Sequence, residues 1–346
     1  MDDMKITDTL TSSPGTFNVQ TALALARVSQ AAYKEGGDLK KWAEDELGRS
    51  ESKRVKCFKN KIIDERFGDL RGFFYDWEDE SGANIGKCGI LAFRGSTFNP
   101  INWIRNVDTS HTPHPWRWGA TSTMGKIHRG FCNGILGFEK DLGRLDETIE
   151  ELDHLWICGH SLGGALGVLA ASRYRCMHLK ETNTMEVYTF GQPWVGCEKF
   201  ANAFVQKRAG KLYRLTNPLD FVPDFLESLK RGENYRHVGD WHRIIINSDG
   251  EVEIEYVEDS TQSETMTAVA EEHFEEEEEE EEEEWAAIME KLEEIKWVDG
   301  SVPDDEIEPI YGDLSKLDYR QKLRDHAIKT YIHNLEKIIA IVPRSS

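Results

Sequence analysis

A serine between two glycines is the feature of this sequence that most directly suggests chemistry. The run Gly159-His160-Ser161-Leu162-Gly163 follows the apolar residues 154–158 and precedes a segment of small residues at 164–172. Glycines on both sides of a serine permit a very tight turn between a buried strand and a helix, so that the hydroxyl stands above the sheet. We therefore predict that Ser161 is the nucleophile of a serine hydrolase.

A serine nucleophile needs an acid that orients its histidine base. In α/β hydrolases the acid follows the serine in the chain and the histidine comes last, which restricts the search to residues after Ser161. Asp220 is the best candidate because it lies at the C-terminal end of a predicted strand, where open α/β sheets place their sites. Asp224 is the nearby alternative.

Five histidines after Ser161 are candidates for the base: His237, His242, His273, His326 and His333. His326 starts an amphipathic helix, so a loop end could present its ring to the site while the helix anchors it. His273 lies in a strongly acidic stretch that is unlikely to hold a side chain rigidly. His333 lies two turns inside the helix, where a packed or surface histidine is the more ordinary interpretation.

Hydrophobic periodicity predicts the elements that must position these residues. A mostly parallel sheet with helices on both faces is expected, because strands alternate with helical segments along the chain. The hairpin turns at Asp249-Gly250 and could form an antiparallel edge. The predicted elements are helices at 18–33 and 326–339, strands at 73–77, 88–93, 154–158, 186–190 and 211–215, and a hairpin at 241–256.

The net charge of −21 is mostly local. Residues 251–284 contain 18 acidic and no basic side chains, and removing these from the 63 acidic residues leaves 45 against 42 basic ones. The ten consecutive glutamates at 275–284 repel one another, so we expect 257–284 to be a disordered acidic insertion. Polyglutamate lacks the alternating ligands and central glycine of a calcium-binding loop, so a specific calcium site is not expected in this stretch. Four interpretations stay open: a tolerated surface insertion, an electrostatic brake against anionic membranes, a docking tail for a basic partner and a loose cation sink.

Seven sequence blocks together resemble the class 3, or fungal-type, lipases. They are Phe93-Arg94-Gly95-Ser96, Asn102-Trp103-Ile104, His128-Arg129-Gly130-Phe131, Gly159–Gly164, Thr189–Pro193, Asp220-Phe221-Val222-Pro223 and Asp325-His326. The resemblance implies an α/β-hydrolase fold with Ser161 as nucleophile, Asp220 as triad acid and His326 as base. It also favours a structural role for His237. One hydrolase domain is expected over 18–256 and 285–342, with residues 1–17 as an N-terminal extension.

Acyl transfer also requires donors for the negative charge that develops on the carbonyl oxygen. The backbone N–H of Leu162 is one candidate, because it opens the helix after the serine. The resemblance implies Ser96 as the second, through its amide and its hydroxyl. An ordinary turn after the strand is the alternative for Arg94-Gly95-Ser96.

A lid over the serine is expected between residues 97 and 126. The family resemblance implies it, and a short amphipathic helix with exposed aromatic side chains could turn its apolar face to a lipid surface. The candidate lid and substrate residues are Phe98, Ile101, Trp103 and Ile104. The alternative is that Trp103 and Ile104 pack on the core, while the segment around Trp116 narrows the cleft.

These features predict a carboxylic ester hydrolase that works through an acyl-enzyme on Ser161. By resemblance its substrates are acylglycerols, and it could contact a neutral lipid interface. A phospholipase, a soluble-ester esterase and a catalytically inactive binding module are the alternatives. Neither a metal nor an organic cofactor is required, and no nucleic-acid partner is expected. Without an apolar leader in residues 1–10 or a membrane span, a cytoplasmic location is expected.

Overall fold

A mixed sheet of eight strands, covered by helices on both faces, forms the body of the fold. The structure is a computed structural model that describes residues 5–11, 15–48, 55–60, 69–79, 86–97, 110–118, 122–177, 184–206, 211–223, 235–247, 249–257 and 326–341. The described helices are α1 Ile6–Thr11, α2 Val19–Ala31, α3 Gly36–Glu46, α4 Arg129–Leu136, α5 Glu139–Glu150, α6 Leu162–Met177, α7 Glu198–Gln206 and α8 Ile328–Ile341. The described strands are β1 Lys56–Asn60, β2 Leu70–Glu78, β3 Lys87–Phe93, β4 His111–Pro113, β5 Arg117–Trp118, β6 Ser122–Thr123, β7 Lys126–His128, β8 His154–His160, β9 Thr184–Phe190, β10 Gly196–Cys197, β11 Lys211–Thr216, β12 Tyr235–Arg236, β13 Asp240–Ile246 and β14 Val252–Val257.

The strand order of the main sheet is β1-β2-β3-β8-β9-β11-β13-β14. The five strands from β3 to β13 run parallel, and β1, β2 and β14 add antiparallel edges. Every residue of β8 is buried, as expected for a central parallel strand with helices on both faces. The predicted fold class is therefore confirmed, and the predicted hairpin forms one edge.

Two apolar layers fill the space on either side of this sheet. On one face α4, α5, α6 and α7 pack against residues such as Phe93, Ile157 and Val187. On the other face, α1, α2, α3 and α8 cover Trp156, Tyr188 and other side chains that point to that side of the sheet. Because side chains alternate across a strand, the two sets come from alternating positions of the same strands.

The N-terminal part of the chain belongs to the second layer. Asn18 begins α2 by accepting hydrogen bonds from the backbone N–H groups of Gln20 and Thr21 at 2.8 and 3.1 Å, which satisfies two amides that a helix start leaves open. Ile6 and Leu10 of α1 are buried against the same apolar layer. Helix α1 therefore packs on the sheet through α2, although it falls in the predicted extension.

Candidate active site

Ser161 occupies a strained turn between β8 and α6. Its φ of +55° is the only positive value at a non-glycine position in the described part of the chain. Its N–H donates to the Phe190 carbonyl at 2.8 Å, which holds the turn against the neighbouring strand. Backbone strain of this kind costs on the order of 1–3 kcal/mol and persists only where the surrounding structure enforces it.

The flanking glycines are required because the backbone packs closely around the serine. A Cβ added to Gly159 would lie 2.3 Å from the carbonyl carbon and oxygen of Gly163. A Cβ added to Gly163 would lie 2.3 Å from the Phe93 carbonyl oxygen on β3. Both contacts are with backbone, which cannot move aside, so the sequence pattern has a direct steric cause.

A hydrogen-bonded chain runs from Ser161 through His326 to Asp220. The Ser161 hydroxyl donates to His326 Nε2 at 2.9 Å, and His326 Nδ1–H donates to the Asp220 carboxylate at 2.9 and 3.0 Å. All three side chains are buried. This is the arrangement that acyl transfer needs, because the imidazole can accept the serine proton while the carboxylate stabilises the resulting charge.

Two further donors hold the Asp220 carboxylate. The backbone N–H of Val222 donates to Oδ1 at 3.0 Å, and the hydroxyl of Tyr331 donates to Oδ2 at 2.6 Å. The Tyr331 oxygen in turn accepts the N–H of Asn217 at 3.0 Å. These donors fix the orientation of the carboxylate, so Asp220 is held in place as the partner of His326.

Gly191 lets the backbone after β9 pass directly beside the acid and the base. It has a φ of +59°, and a Cβ there would lie 2.5 Å from Asp220 Oδ2 and 2.9 Å from His326 Nδ1. Glycine is therefore needed for two reasons, the backbone conformation and the close approach. This residue lies in the Thr189–Pro193 block of the sequence.

The structure brings both predicted oxyanion residues to the turn around Ser161. Leu162 is the first residue of α6, so its N–H is one of the amides that the helix itself leaves free. Ser96 follows β3, which pairs in parallel with β8, and it is buried. A Cβ on Gly95 would lie 3.3 Å from the Ser161 Cβ, which shows how closely this loop approaches the serine.

The remaining candidates fall elsewhere. His237 is buried against Trp194, and His242 stacks on Phe17 with ring centroids 3.8 Å apart, while His333 is exposed on α8. Asp224 and His273 lie outside the described residues. So do all four candidate lid residues, Phe98, Ile101, Trp103 and Ile104. Trp116 is buried in the apolar layer around α6 rather than exposed at a cleft.

Sequence reasoning missed Tyr331 and Asn217 as supports of the acid. Tyr331 follows His326 by five positions on the closing helix, and Asn217 precedes Asp220 by three. Their proximity to the candidate triad in the chain is the only signal that could have suggested a role. Among the described residues, no three His, Cys, Asp or Glu side chains are arranged to hold a metal ion.

Comparisons with known proteins show a similarity to one family in the central part of the chain. Residues 90–229 match the family model of the class 3 lipases. A secreted mono- and diacylglycerol lipase from Fusarium solani is 43% identical over 143 residues, which are 40% of this chain and 40% of that protein. A second secreted mono- and diacylglycerol lipase, from Malassezia restricta, is 26% identical over 186 residues. That match covers 47% of this chain and 57% of the Malassezia protein.

A solved structure supports the same fold. It is a triacylglycerol lipase described as having a serine protease triad at its catalytic centre. The TM-score is 0.51 and the identity 22%, over 68% of this chain and 83% of that one. The fold is thus that of the α/β hydrolases. Over residues 90–229 the chain resembles the class 3 lipases, as the sequence blocks indicated. It spans about half of the length of the curated relatives described here.

The prediction of a cytoplasmic location is wrong. It rested on the charged residues 1–10 and on the apparent lack of a membrane span, neither of which determines where a protein acts. The relatives from Fusarium solani and Malassezia restricta are both named as secreted lipases. Within the described part of the chain, no helix combines the length and the apolarity that crossing a bilayer requires.

Proposed function

We propose that this chain is a serine-dependent carboxylic ester hydrolase that acts on acylglycerols. The observation that carries the proposal is the 2.9 Å hydrogen bond from the Ser161 hydroxyl to His326 Nε2, on a strained turn that aims the serine at the site. The substrate class is supported by the relatives named as mono- and diacylglycerol lipases.

Acylation begins when His326 Nε2 takes the Ser161 proton as Oγ attacks the ester carbonyl carbon. Asp220 stays ionised and stabilises the imidazolium through Nδ1–H. The carbonyl oxygen becomes an oxyanion, and the N–H groups of Leu162 and Ser96 are its proposed donors. Each such donor contributes about 3 kcal/mol of transition-state stabilisation in comparable sites.

Collapse of this intermediate breaks the bond between the carbonyl carbon and the alcohol oxygen. His326 Nε2–H gives its proton to that oxygen, and the alcohol leaves while the acyl group stays on Ser161. A water molecule then attacks the acyl-enzyme and gives its proton to His326. The second intermediate collapses to the carboxylic acid, and the proton on His326 returns to Ser161 Oγ.

The test compares purified protein with Ser161→Ala on a soluble short-chain chromogenic ester. We expect the variant to lose at least about 10³-fold in kcat, since removal of the nucleophile leaves only binding and oxyanion contributions. A fluorophosphonate should label wild type on the peptide that contains Ser161 and should leave the variant unlabelled.

Ser29→Ala is the matched control. Ser29 is also a fully buried serine, but its hydroxyl donates to the Leu25 carbonyl inside α2, at 2.8 Å, away from the site. This variant should keep wild-type turnover and labelling. Equal turnover in wild type and Ser161→Ala, or no labelling of either, would refute the hydrolase and favour an inactive binding module.

We further propose that the enzyme contacts neutral lipid surfaces. The support is the aromatic composition of residues 97–126 and the acylglycerol substrates named for the relatives. Turnover of an emulsified acylglycerol should rise when the substrate passes its solubility limit, whereas turnover of a short soluble ester should saturate normally. Identical saturation curves for both substrates would contradict this part of the proposal.

We also propose that the acidic stretch 257–284 is an insertion within one hydrolase domain, formed by 18–256 and 285–342, with residues 1–17 as an extension. The packing of α8 against α2 and β14 supports it, since the chain returns after the stretch to the same body. A Gly/Ser linker in place of Glu275–Glu284 should leave kcat on the short ester within about twofold. A collapse of kcat would show that the stretch is part of the site.

A further inference from the structure

His160, the residue before the serine, has a partner on each of its ring nitrogens. Its Nε2 lies 2.5 Å from the backbone carbonyl oxygen of His326, and its Nδ1 lies 2.9 Å from the hydroxyl of Tyr33. A carbonyl oxygen can only accept, so Nε2 carries the hydrogen and donates it. Nδ1 then has a lone pair that accepts from Tyr33, and these two bonds together fix the tautomer.

The His160 ring is held in its neutral form. It is fully buried, and burial together with the adjacent His326 lowers its pKa well below the usual value for histidine. The centroids of the two imidazoles are 4.7 Å apart. A second charge this close would oppose the imidazolium that His326 must form, so a neutral ring is the suitable neighbour.

The hydrogen bond from His160 closes a short ring of contacts around the reacting atoms. Ser161 Oγ bonds to the His326 side chain, the His326 carbonyl accepts from the His160 side chain, and His160 is joined to Ser161 by a peptide bond. The distance between serine and base is thereby fixed locally. A local connection is needed because His326 lies just before α8 and is distant in sequence from Ser161.

Tyr33 extends this arrangement to the other side of the serine. It follows α2, and a Cβ added to Gly95 would lie 2.2 Å from its hydroxyl oxygen. The same oxygen therefore touches both the ring of His160 and the loop that carries Ser96. Tyr33 itself is buried, so its hydroxyl is a fixed support for both groups.

We propose that Tyr33 and His160 are positioning residues that hold the backbone of His326 and the Gly95-Ser96 loop in register with Ser161. The inference rests on the proposed hydrolase function, and it assigns no proton transfer to His160. His160 acts as a neutral, two-sided hydrogen-bonding group. Tyr33 donates to its Nδ1 and anchors the ring from the other side.

The test compares Tyr33→Phe, His160→Leu and His160→Gln with wild type on the soluble ester. Leucine removes both hydrogen bonds, whereas the glutamine amide offers one donor and one acceptor but cannot be protonated near neutral pH. We expect His160→Leu to lower kcat about 100-fold, the scale of a displacement of about 1 Å, with KM within about twofold. Tyr33→Phe should lower kcat about 10-fold, and His160→Gln should stay within about 10-fold of wild type.

Tyr75→Phe is the matched control. Tyr75 is buried on β2, in the same apolar layer as α2, and its hydroxyl donates to the Gly48 carbonyl at 2.8 Å. This variant should keep wild-type kcat. All rates are divided by the amount of folded protein, measured by gel filtration and near-ultraviolet circular dichroism, so that a loss of folding is not counted as a loss of chemistry.

Three results would overturn the proposal. The first is wild-type kcat per folded molecule in His160→Leu, and the second is a Tyr33→Phe rate equal to that of Tyr75→Phe. The third is a His160→Gln variant as inactive as His160→Leu, which would point to proton transfer by His160. Failure of the hydrolase function itself is recognised separately, because wild type and Ser161→Ala would then have equal rates.

Discussion

The hydroxyl of Tyr331 donates a 2.6 Å hydrogen bond to Oδ2 of Asp220. Tyr331 lies on α8, five positions after His326, so the closing helix brings the base and a donor for the acid to the site together. Farther along α8, Asn334 donates to the Asn217 side chain at 2.9 Å and ties the helix to the loop that precedes Asp220. The acid and base are thus positioned by the same helix.

The first prediction concerns Tyr331→Phe. The substitution removes the donor to Asp220 and the acceptor of the Asn217 N–H while keeping the ring. We expect about 2 kcal/mol of lost stability, because a hydrogen bond to a charged group and a backbone partner are lost together. Kcat on the soluble ester should fall about 10-fold with little change in KM, since the lost contact orients the triad. Tyr75→Phe is again the control, and equal rates for the two variants would refute this role of Tyr331.

The second prediction separates backbone strain from steric clash at Gly191. Gly191→Ala places a methyl group 2.5 Å from Asp220 Oδ2, whereas Gly250, with a φ of +79°, has open space around the corresponding position. Both alanines bear the strain of a positive φ, on the order of 1–2 kcal/mol. Only Gly191→Ala should lower kcat, by about 100-fold, because the acid and base must move apart. Equal kcat in the two variants, measured on folded protein, would contradict the clash.

The candidate triad could be predicted from the sequence because each member stands at the end of a regular element. Ser161 follows an apolar strand and Asp220 follows a second predicted strand, so strand ends alone bring them to the same edge of the sheet. The resemblance then selected His326 from five histidines. The structure brings these three residues together, and their catalytic role remains a proposal.

The supporting contacts could not be predicted, because they join residues that are distant in the chain. Tyr33 reaches His160 from the end of α2, and nothing in its local pattern distinguishes it from an ordinary buried tyrosine. Leu39 and Phe58 are likewise buried, although charged residues surround both of them in the sequence. The charged neighbours make the local sequence typical of a surface segment. The burial of these two residues depends on packing against the sheet, which the local sequence does not show.

The third prediction compares two glycines of α6. Gly163→Ala would place a methyl group 2.3 Å from the Phe93 carbonyl oxygen, whereas Gly167→Ala would meet the Ile157 side chain at 3.4 Å, an ordinary contact. Gly167→Ala should be neutral or stabilising by up to about 1 kcal/mol, because alanine is the better helix former. Gly163→Ala should lower both stability and kcat, since β3 must separate from the helix. Thermal and urea unfolding of both variants would test this, and a stable, active Gly163→Ala would contradict the packing argument.

The fourth prediction concerns acid sensitivity through His114, which joins the segment after β4 to α6. Its Nδ1 bonds to the Trp116 carbonyl and its Nε2 to the Ser172 hydroxyl, both at 2.8 Å, and Trp116 and Phe200 pack on its ring. Burial lowers its pKa to about 4, although the bond to the Trp116 carbonyl partly opposes this. The unfolded chain therefore binds a proton between about pH 6.5 and pH 4 that the native site does not, so stability falls as the pH drops through this window.

Between pH 7.5 and pH 5 this single histidine should cost about 2 kcal/mol of unfolding free energy. His242 acts in the same direction, since burial and the charge of Arg214 lower its pKa to about 4 as well. His114→Gln should therefore reduce the pH dependence without abolishing it, whereas His333→Gln, at an exposed position, should leave it unchanged. Urea unfolding at the two pH values gives the free energies directly. An unchanged difference between them in His114→Gln would show that His114 is protonated in the folded state, with Ser172 free to donate to the Leu169 carbonyl at 2.9 Å.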